Sequence, residues 1–339
     1  MKTTIPSFII IIVFLAASMA SATVPDGVSG TRPNAGNAAT EVSVGLYLID
    51  VSRVDGADQS FTADLFILLR WHDPRLEGVF EATQRVPLET VWNPRLQILN
   101  QRTISTTLPE QAEIAPDGTV ITRQRYFGTF SAPLDLHDFP LDKQRFSIRL
   151  VVPGFAPGEV RLVAVSADLA GEMRSPTFSI ADWDLGAIDA GPEPYRVTAG
   201  GREISGYLLA FDGRRHIGFW AGKAFISVLI IVAMSWIVFW IDPKHVGPRL
   251  SVTVTSMLTL IAYRFLLAQM LPRLSYLTRM DYFLIGSTLL VLLAVVQVAA
   301  TTRAADHDHG RKAARINTHS KWFFPAIFAA MFAAMVLVA

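Results

Sequence analysis

Four apolar runs close this chain, at about 217–241, 249–270, 281–302 and 322–339. Roughly 20 helical residues cover the ~30 Å of a bilayer's hydrocarbon layer, so each run is long enough, or nearly so, to cross it. The second run constrains the molecule most. From Arg249 to Gln269 it reads RLSVTVTSMLTLIAYRFLLAQ. Ser251, Thr255, Leu258, Ala262, Phe265 and Gln269 follow alternating steps of four and three, which puts them on one helix face. Two readings fit that stripe. The hydroxyls can bond to carbonyls of their own helix or glue neighbouring helices. Alternatively the face lines a water path, where hydroxyls replace part of an ion's hydration and a ring of Leu or Phe closes the path by dewetting.

Composition narrows the class. Of 339 residues, 51% are hydrophobic and only 17% charged, against about 25% charged in an ordinary soluble chain. The net charge of +1 offers no basic face for nucleic acid. Cysteine is absent, which excludes disulfides, thiolate metal sites and Cys nucleophiles. The start reads as a signal peptide over 1–22. Lys2 is followed by an apolar run from Phe8 to Ala17, and Ala20-Ser21-Ala22 has the form of a cleavage site.

Residues 23–40 are rich in Gly, Pro, Ala and Asn and read as a flexible arm. Short alternating runs then fill 41–216. Those at 42–51, 61–73, 119–130, 143–152, 159–165 and 203–213 read as strands, broken by Asp117-Gly118, Pro153-Gly154 and Pro157-Gly158. Many short strands without intervening amphipathic helices predict an all-β, immunoglobulin-like sandwich ahead of the transmembrane domain 217–339. Loops 242–248 and 303–321 carry Lys244, Arg303, Arg311, Lys312, Arg315 and Lys321, whereas 271–280 carries Arg273 and Arg279. That bias puts the first two loops in the cytoplasm and the sandwich outside.

Rival classes leave no trace. There is no Gly-x-Ser-x-Gly, phosphate-cradling Gly-rich loop or His-Glu-x-x-His, so neither an enzyme nor a cofactor is expected. Asp306-His307-Asp308-His309 reads as a solvated loop rather than a metal site. A membrane-anchored periplasmic sensor that conducts nothing is the alternative, and the hydroxyl stripe argues against it.

The motifs, in order, resemble the pentameric ligand-gated ion channels of the Cys-loop receptor superfamily. Leu136-His137-Asp138-Phe139-Pro140-Leu141-Asp142 is similar to the core of that family's signature loop, with Ala132 and Phe146 at the spacings of its two cysteines. Trp92-x-Pro94 resembles a binding-loop motif. Ser235-Trp236-x-Val238-Phe239-Trp240 resembles the end of the first helix, and Leu271-Pro272-Arg273-Leu274-Ser275-Tyr276 the link after the pore helix. Missing cysteines and the short second cytoplasmic loop resemble bacterial members, with TSMLTLIAY closest to the ELIC type. Ser227 stands where the family usually has a proline.

The resemblance implies a homopentamer in a bacterial inner membrane, passing inorganic ions when an extracellular small-molecule agonist, amine or amino-acid-like, or a proton arrives. Membrane lipids are its other partners. Ser251 and Thr255 would form polar rings, and Leu258, Ala262 and Phe265 the gate. The inner mouth is Gly247-Pro248-Arg249, with no acid between Asp242 and Asp281. It is similar to the Pro-Ala-Arg mouth of anion-selective members and implies anion preference or weak selectivity, unless Arg249 turns to lipid phosphate instead. Phe155, Tyr195 and Tyr207, with Phe66 and Arg125 from a neighbouring subunit, are the agonist-box candidates. Phe66, Phe155 and Tyr207 equally suit a sandwich core. Coupling falls to Phe139, Pro140, the Asp142–Arg215 pair and Pro272. Arg264 and Lys223 are membrane-level charges that need polar partners.

Overall fold

Strand formation follows the period-two pattern. In β1 (Thr40–Asp55) Val42, Val44, Leu46 and Leu48 are buried, while the residues between them are half-buried. β2 (Ser60–Glu77) pairs antiparallel with it, placing Leu69 opposite Val44 and Ile67 opposite Leu46. The computed structural model describes residues 23–165, 174–197, 201–218, 220–242, 244–269, 274–306 and 310–337. The signal-peptide segment 1–22, Pro272, and His307 to His309 lie outside them.

Two sheets form among the described residues. The first runs β3 (Gln84–Pro87), β6 (Gln111–Ile114), β7 (Asp117–Ser131), β2, β1, β9 (Val160–Ala164), with β5 (Gln101–Thr106) also on β7. The second runs β10 (Trp183–Pro192), β12 (Glu203–Arg215), β8 (Lys143–Val152), β4 (Gln97–Ile98), with β11 (Tyr195–Arg196) on β12. An aromatic knot closes the space between them. The Phe61 ring lies 5.4 Å from Phe130, 5.3 Å from Phe146 and 5.8 Å from Phe211. Each is essentially solvent-free, and burying such a side chain stabilises by about 1.5–3 kcal/mol. Gly118, at φ +76, makes the turn into β7, where a Cβ would meet the Asp73 carbonyl oxygen at 2.7 Å.

Strands with weak alternation escaped the sequence reading. β10 carries Gly186, Gly191 and Pro192 and sits on a sheet edge, where one face needs little apolar character.

After β12 come four helices long and apolar enough to cross a membrane. A π-helical turn, Trp220–Phe225, opens the first; α1 (Ile226–Ile237) follows and ends in a 3-10 turn, Val238–Trp240. At the position where the family usually has proline, the Ser227 hydroxyl donates to the Lys223 carbonyl at 2.6 Å. Then come α2 (Val246–Ala268), α3 (Arg279–Asp306) and α4 (Gly310–Leu337). The polar stretch 303–321, read as a loop, is helical on both sides of 307–309. Its Ala, Arg and Lys residues are good helix formers, so polarity ends the membrane span but not the helix. α3 and α4 approach closely at Gly286, where a Cβ would overlap the Met331 side chain.

Candidate pore, ligand and coupling sites

One face of α2 is buried by Arg249, Thr253, Ser256, Leu260 and Leu267. The opposite face carries Ser251, Thr255, Leu258, Ala262, Phe265 and Gln269, all exposed in the single chain. Leu258 and Phe265 are 62% and 71% exposed. On the buried face the hydroxyls of Thr253 and Ser256 donate to carbonyls of their own helix, at 2.5 and 2.8 Å, and so does that of the exposed Thr259, at 2.8 Å. Among the described residues, no such back-bond is made by Ser251 or Thr255, whose hydroxyls stay available to whatever meets that face.

Gly247 and Pro248 are exposed in the first turn of α2, but Arg249 departs from the mouth reading. Its side chain is fully buried within the bundle. Nε donates to the Val238 carbonyl at 3.3 Å, Nη1 to Thr301 Oγ1 at 3.2 Å, and Nη2 to Asn317 Oδ1 at 2.8 Å. Asn317 in turn donates to the Phe239 carbonyl at 2.5 Å. One guanidinium thereby joins the inner ends of all four helical segments. It shares neither the exposed stripe nor a position facing outward to lipid phosphate. Nothing in the local sequence carried this outcome, since Asn317 stands among the polar residues that open the fourth helix.

Arg264 is half-buried, and its Nη1 donates to Thr288 Oγ1 on α3 at 3.3 Å. The Lys223 carbonyl also accepts from the Tyr263 hydroxyl at 2.7 Å, tying the first helix to α2 near its outer end.

The agonist-box candidates fall into two groups. Phe66 and Arg125 face each other across β2 and β7. Arg125 forks onto Asp64, with Nε at 3.0 Å from Oδ1, and this carboxylate raises the arginine's pKa. Phe155 and Tyr195 lie on the other side, by the start of β12, where Ser205 N–H donates to the Phe155 carbonyl at 2.9 Å. The Arg149 guanidinium sits 5.4 Å from the centre of the Tyr195 ring and pairs with Glu193 at 2.8 Å. A single chain does not bring the two groups together. Tyr207 takes the core alternative: it is 2% exposed, and burial raises its phenol pKa.

The joint between sandwich and helices is dense. Arg215 donates from Nε to Asp142 Oδ1 at 2.8 Å and from Nη2 to Oδ2 at 3.2 Å, with both side chains buried. Its guanidinium also stacks 4.3 Å from Trp183 and 4.9 Å from Phe139. Phe139 meets Trp220 edge-on at 4.8 Å, and its peptide bond to Pro140 is cis. Phe139 and His137 carbonyls accept from the N–H groups of Met280 and Arg279, at 3.2 and 2.9 Å. His137 stacks on Tyr276 at 3.9 Å, and the Tyr276 hydroxyl accepts the Leu136 N–H at 3.1 Å. Arg279 Nε reaches Asp138 at 2.7 Å. The link after α2 was expected to meet Phe139-Pro140, but Tyr276 and Arg279 were not among the expected coupling residues, because the individual side-chain contacts depend on how the two loops dock.

A two-sheet sandwich joined in this way to four membrane helices, one with a polar-to-apolar exposed face, defines an extracellular ligand-binding domain on a multi-pass membrane domain. Residues 28–185 match the neurotransmitter-gated ion-channel ligand binding domain, and 226–325 the neurotransmitter-gated ion-channel transmembrane region. The chain belongs to this family of ligand-gated ion channels, the Cys-loop receptor superfamily. It is 28% identical over 289 residues to the glycine receptor subunit beta of Homo sapiens, covering 79% of this chain and 56% of the receptor subunit. It is 25% identical over 293 residues to a proton-gated ion channel of Gloeobacter violaceus, covering 85% of this chain and 80% of that one. With the gamma-aminobutyric acid receptor subunit alpha-2 of Bos taurus it shares 24% over 279 residues, 79% of this chain and 61% of the receptor subunit. The chain spans little more than half the length of the glycine receptor subunits it matches.

Proposed function

We propose that this chain forms a homopentameric channel that passes small inorganic ions when an extracellular small molecule binds. The exposed α2 stripe carries the reading. Six residues in register stay open in one chain while the opposite helix face is buried. A five-fold arrangement would turn them into hydroxyl rings at Ser251 and Thr255 and apolar rings at Leu258, Ala262 and Phe265, with Gln269 at the outer end. Narrow apolar rings shed water and block ions until they widen.

Ion sign does not follow from Arg249, which is held inside the bundle. The stripe offers hydroxyl dipoles without formal charge, which supports weak selectivity over strict anion selection. On the agonist, the Arg149 guanidinium already covers the Tyr195 ring. A second arginine, Arg125, stands on the other candidate face. Two guanidiniums favour a ligand with a carboxylate, so an amino-acid-like agonist fits better than a simple amine. Two relatives are named for amino-acid transmitters and one for the proton. Binding would act through the Asp142–Arg215 joint, provided its contacts differ between the closed and open forms.

The test is current through reconstituted Leu258→Ala under a salt gradient. A smaller gate ring should raise the open probability without any agonist. A silent bilayer, from protein proven to be a folded pentamer, would instead favour the non-conducting sensor.

A further inference from the structure

Among the described residues, three other than glycine take a positive φ: Asn34, Gln59 and Arg95, with Gln59 at +51°. That region crowds an L side chain, whereas glycine adopts it readily. Gln59 closes the turn between β1 and β2, where glycine would serve the backbone better. Its amide supplies the reason for a glutamine. Oε1 accepts the Leu134 N–H at 2.6 Å, and Nε2 donates to the Gly56 carbonyl at 3.1 Å. The Gln59 carbonyl accepts the Ala132 N–H at 2.9 Å. Pro133, between those two, has no N–H to place. Both backbone donors at the entry of the signature loop therefore end on one residue of the β1–β2 turn. The next donor, Asp135 N–H, goes to Gln144.

The turn that Gln59 ends is stiff. Asp55 Oδ1 accepts the N–H groups of Ala57 and Asp58, both at 3.0 Å, and Asp55 Oδ2 takes Arg53 at 2.6 Å. The two strands stay paired up to it, with Asp55 opposite Ser60. On the other side Ser60 faces Ser131, the last residue of β7 before the loop. The loop's exit is held by Gln144, which bonds Asp135 and Asp142. Between these two amides, the His137 and Phe139 carbonyls take the N–H groups of Arg279 and Met280. A rigid turn, a clasped loop entry and the start of α3 thus form one chain of bonds. Gln59 is its link to the outer sheet. Both of its bonds to the loop are half-buried or better, where a lost partner is not simply replaced by water.

We infer that Gln59 is a positioning residue of the coupling joint: its amide ties the β1–β2 turn to the entry of the signature loop, so that a displacement of the outer sheet reaches the α2–α3 link. This rests on the reading of the chain as a gated channel. Hydrogen exchange of the full-length detergent-solubilised protein, followed by mass spectrometry, tests it. Gln59→Gly keeps the left-handed backbone and removes the amide. It should speed exchange in peptide 132–139 about tenfold, the scale of one lost hydrogen bond. Peptide 278–282, which carries the Arg279 and Met280 amides, should also exchange faster. Peptide 146–151 of β8 and the Tm should stay as in the parent, because relief of the strained φ offsets the added freedom of the unfolded chain. Gln59→Glu keeps an oxygen for the Leu134 N–H and should restore slow exchange. Unchanged exchange at 132–139 in Gln59→Gly would overturn the inference. So would faster exchange confined to 132–139, because the clasp would then transmit nothing to the link. A uniform rise across the sandwich with a lower Tm would overturn it too, making Gln59 a residue of general stability. The Leu258→Ala current is a separate readout: a silent pore with the expected exchange sinks the channel reading alone, and an unchanged joint with current sinks this one alone.

Discussion

Arg249 and Arg264 sit on the same helix, 15 residues apart, and have opposite fates. Arg249, at the inner end, is fully buried and bonded to α3, α4 and the end of the first helix. Arg264, near the outer end, is half-buried and tied to α3 by one bond of 3.3 Å to Thr288. Among the described residues neither forms an ion pair with a carboxylate. A buried cation survives only if neutral acceptors replace its lost water. Arg249 has three such acceptors, whereas Arg264 keeps part of its surface open. The lesson is that charge in a membrane helix is a poor guide to its role until its partners are known. At one end it locks a bundle, and at the other it adds a single bond to a helix that Tyr263 also ties to the Lys223 carbonyl.

Breaking the inner lock should have the largest effect. Arg249→Ala strands Thr301, Asn317 and the Val238 carbonyl in a dry interior. We expect a loss of about 3 kcal/mol, the scale of a charge-assisted buried network, seen as a lower Tm of the solubilised protein. Arg249→Lys should fall between, because a single ammonium cannot fork to three acceptors. Next comes Asn317→Leu, which removes one acceptor for Arg249 and the donor to Phe239. Its expected cost is about 1–2 kcal/mol. Smallest is Arg264→Met, at about 0.6 kcal/mol, with a change in channel opening larger than any change in Tm. Should Arg264→Met lower the Tm as far as Arg249→Ala, the contrast between the two ends fails. A shifted reversal potential in Arg249→Lys, without loss of stability, would return that side chain to the ion path.

What the sequence disclosed tracks the range of each signal. The α2 stripe was readable because a 3.6-residue period is a local property of one helix. β1 and β2 were readable for the same reason, through their period of two. Arg249 was misread because its acceptors come from residues 238, 301 and 317, on three other segments. Tyr207 was ambiguous because an aromatic in a strand serves core or ligand equally well, and only the facing sheet decides. Phe66, Arg125, Phe155 and Tyr195 lie on two faces that a single chain holds apart, so their meeting depends on a second copy.

Gln144 has a consequence of its own. Its amide accepts the Asp135 N–H at 3.1 Å and donates to the Asp135 carbonyl at 2.5 Å and to Asp142 Oδ2 at 2.8 Å. The signature loop is therefore held across its base by an amide, with Ala132 and Phe146 buried where relatives of this kind place cysteines. A loop closed by hydrogen bonds contains no sulfur to be oxidised, reduced or exchanged. It also needs no oxidising compartment or disulfide exchange to mature. The joint between ligand domain and pore should therefore be complete as soon as the chain folds, and it should behave identically whether the medium around it is oxidising or reducing.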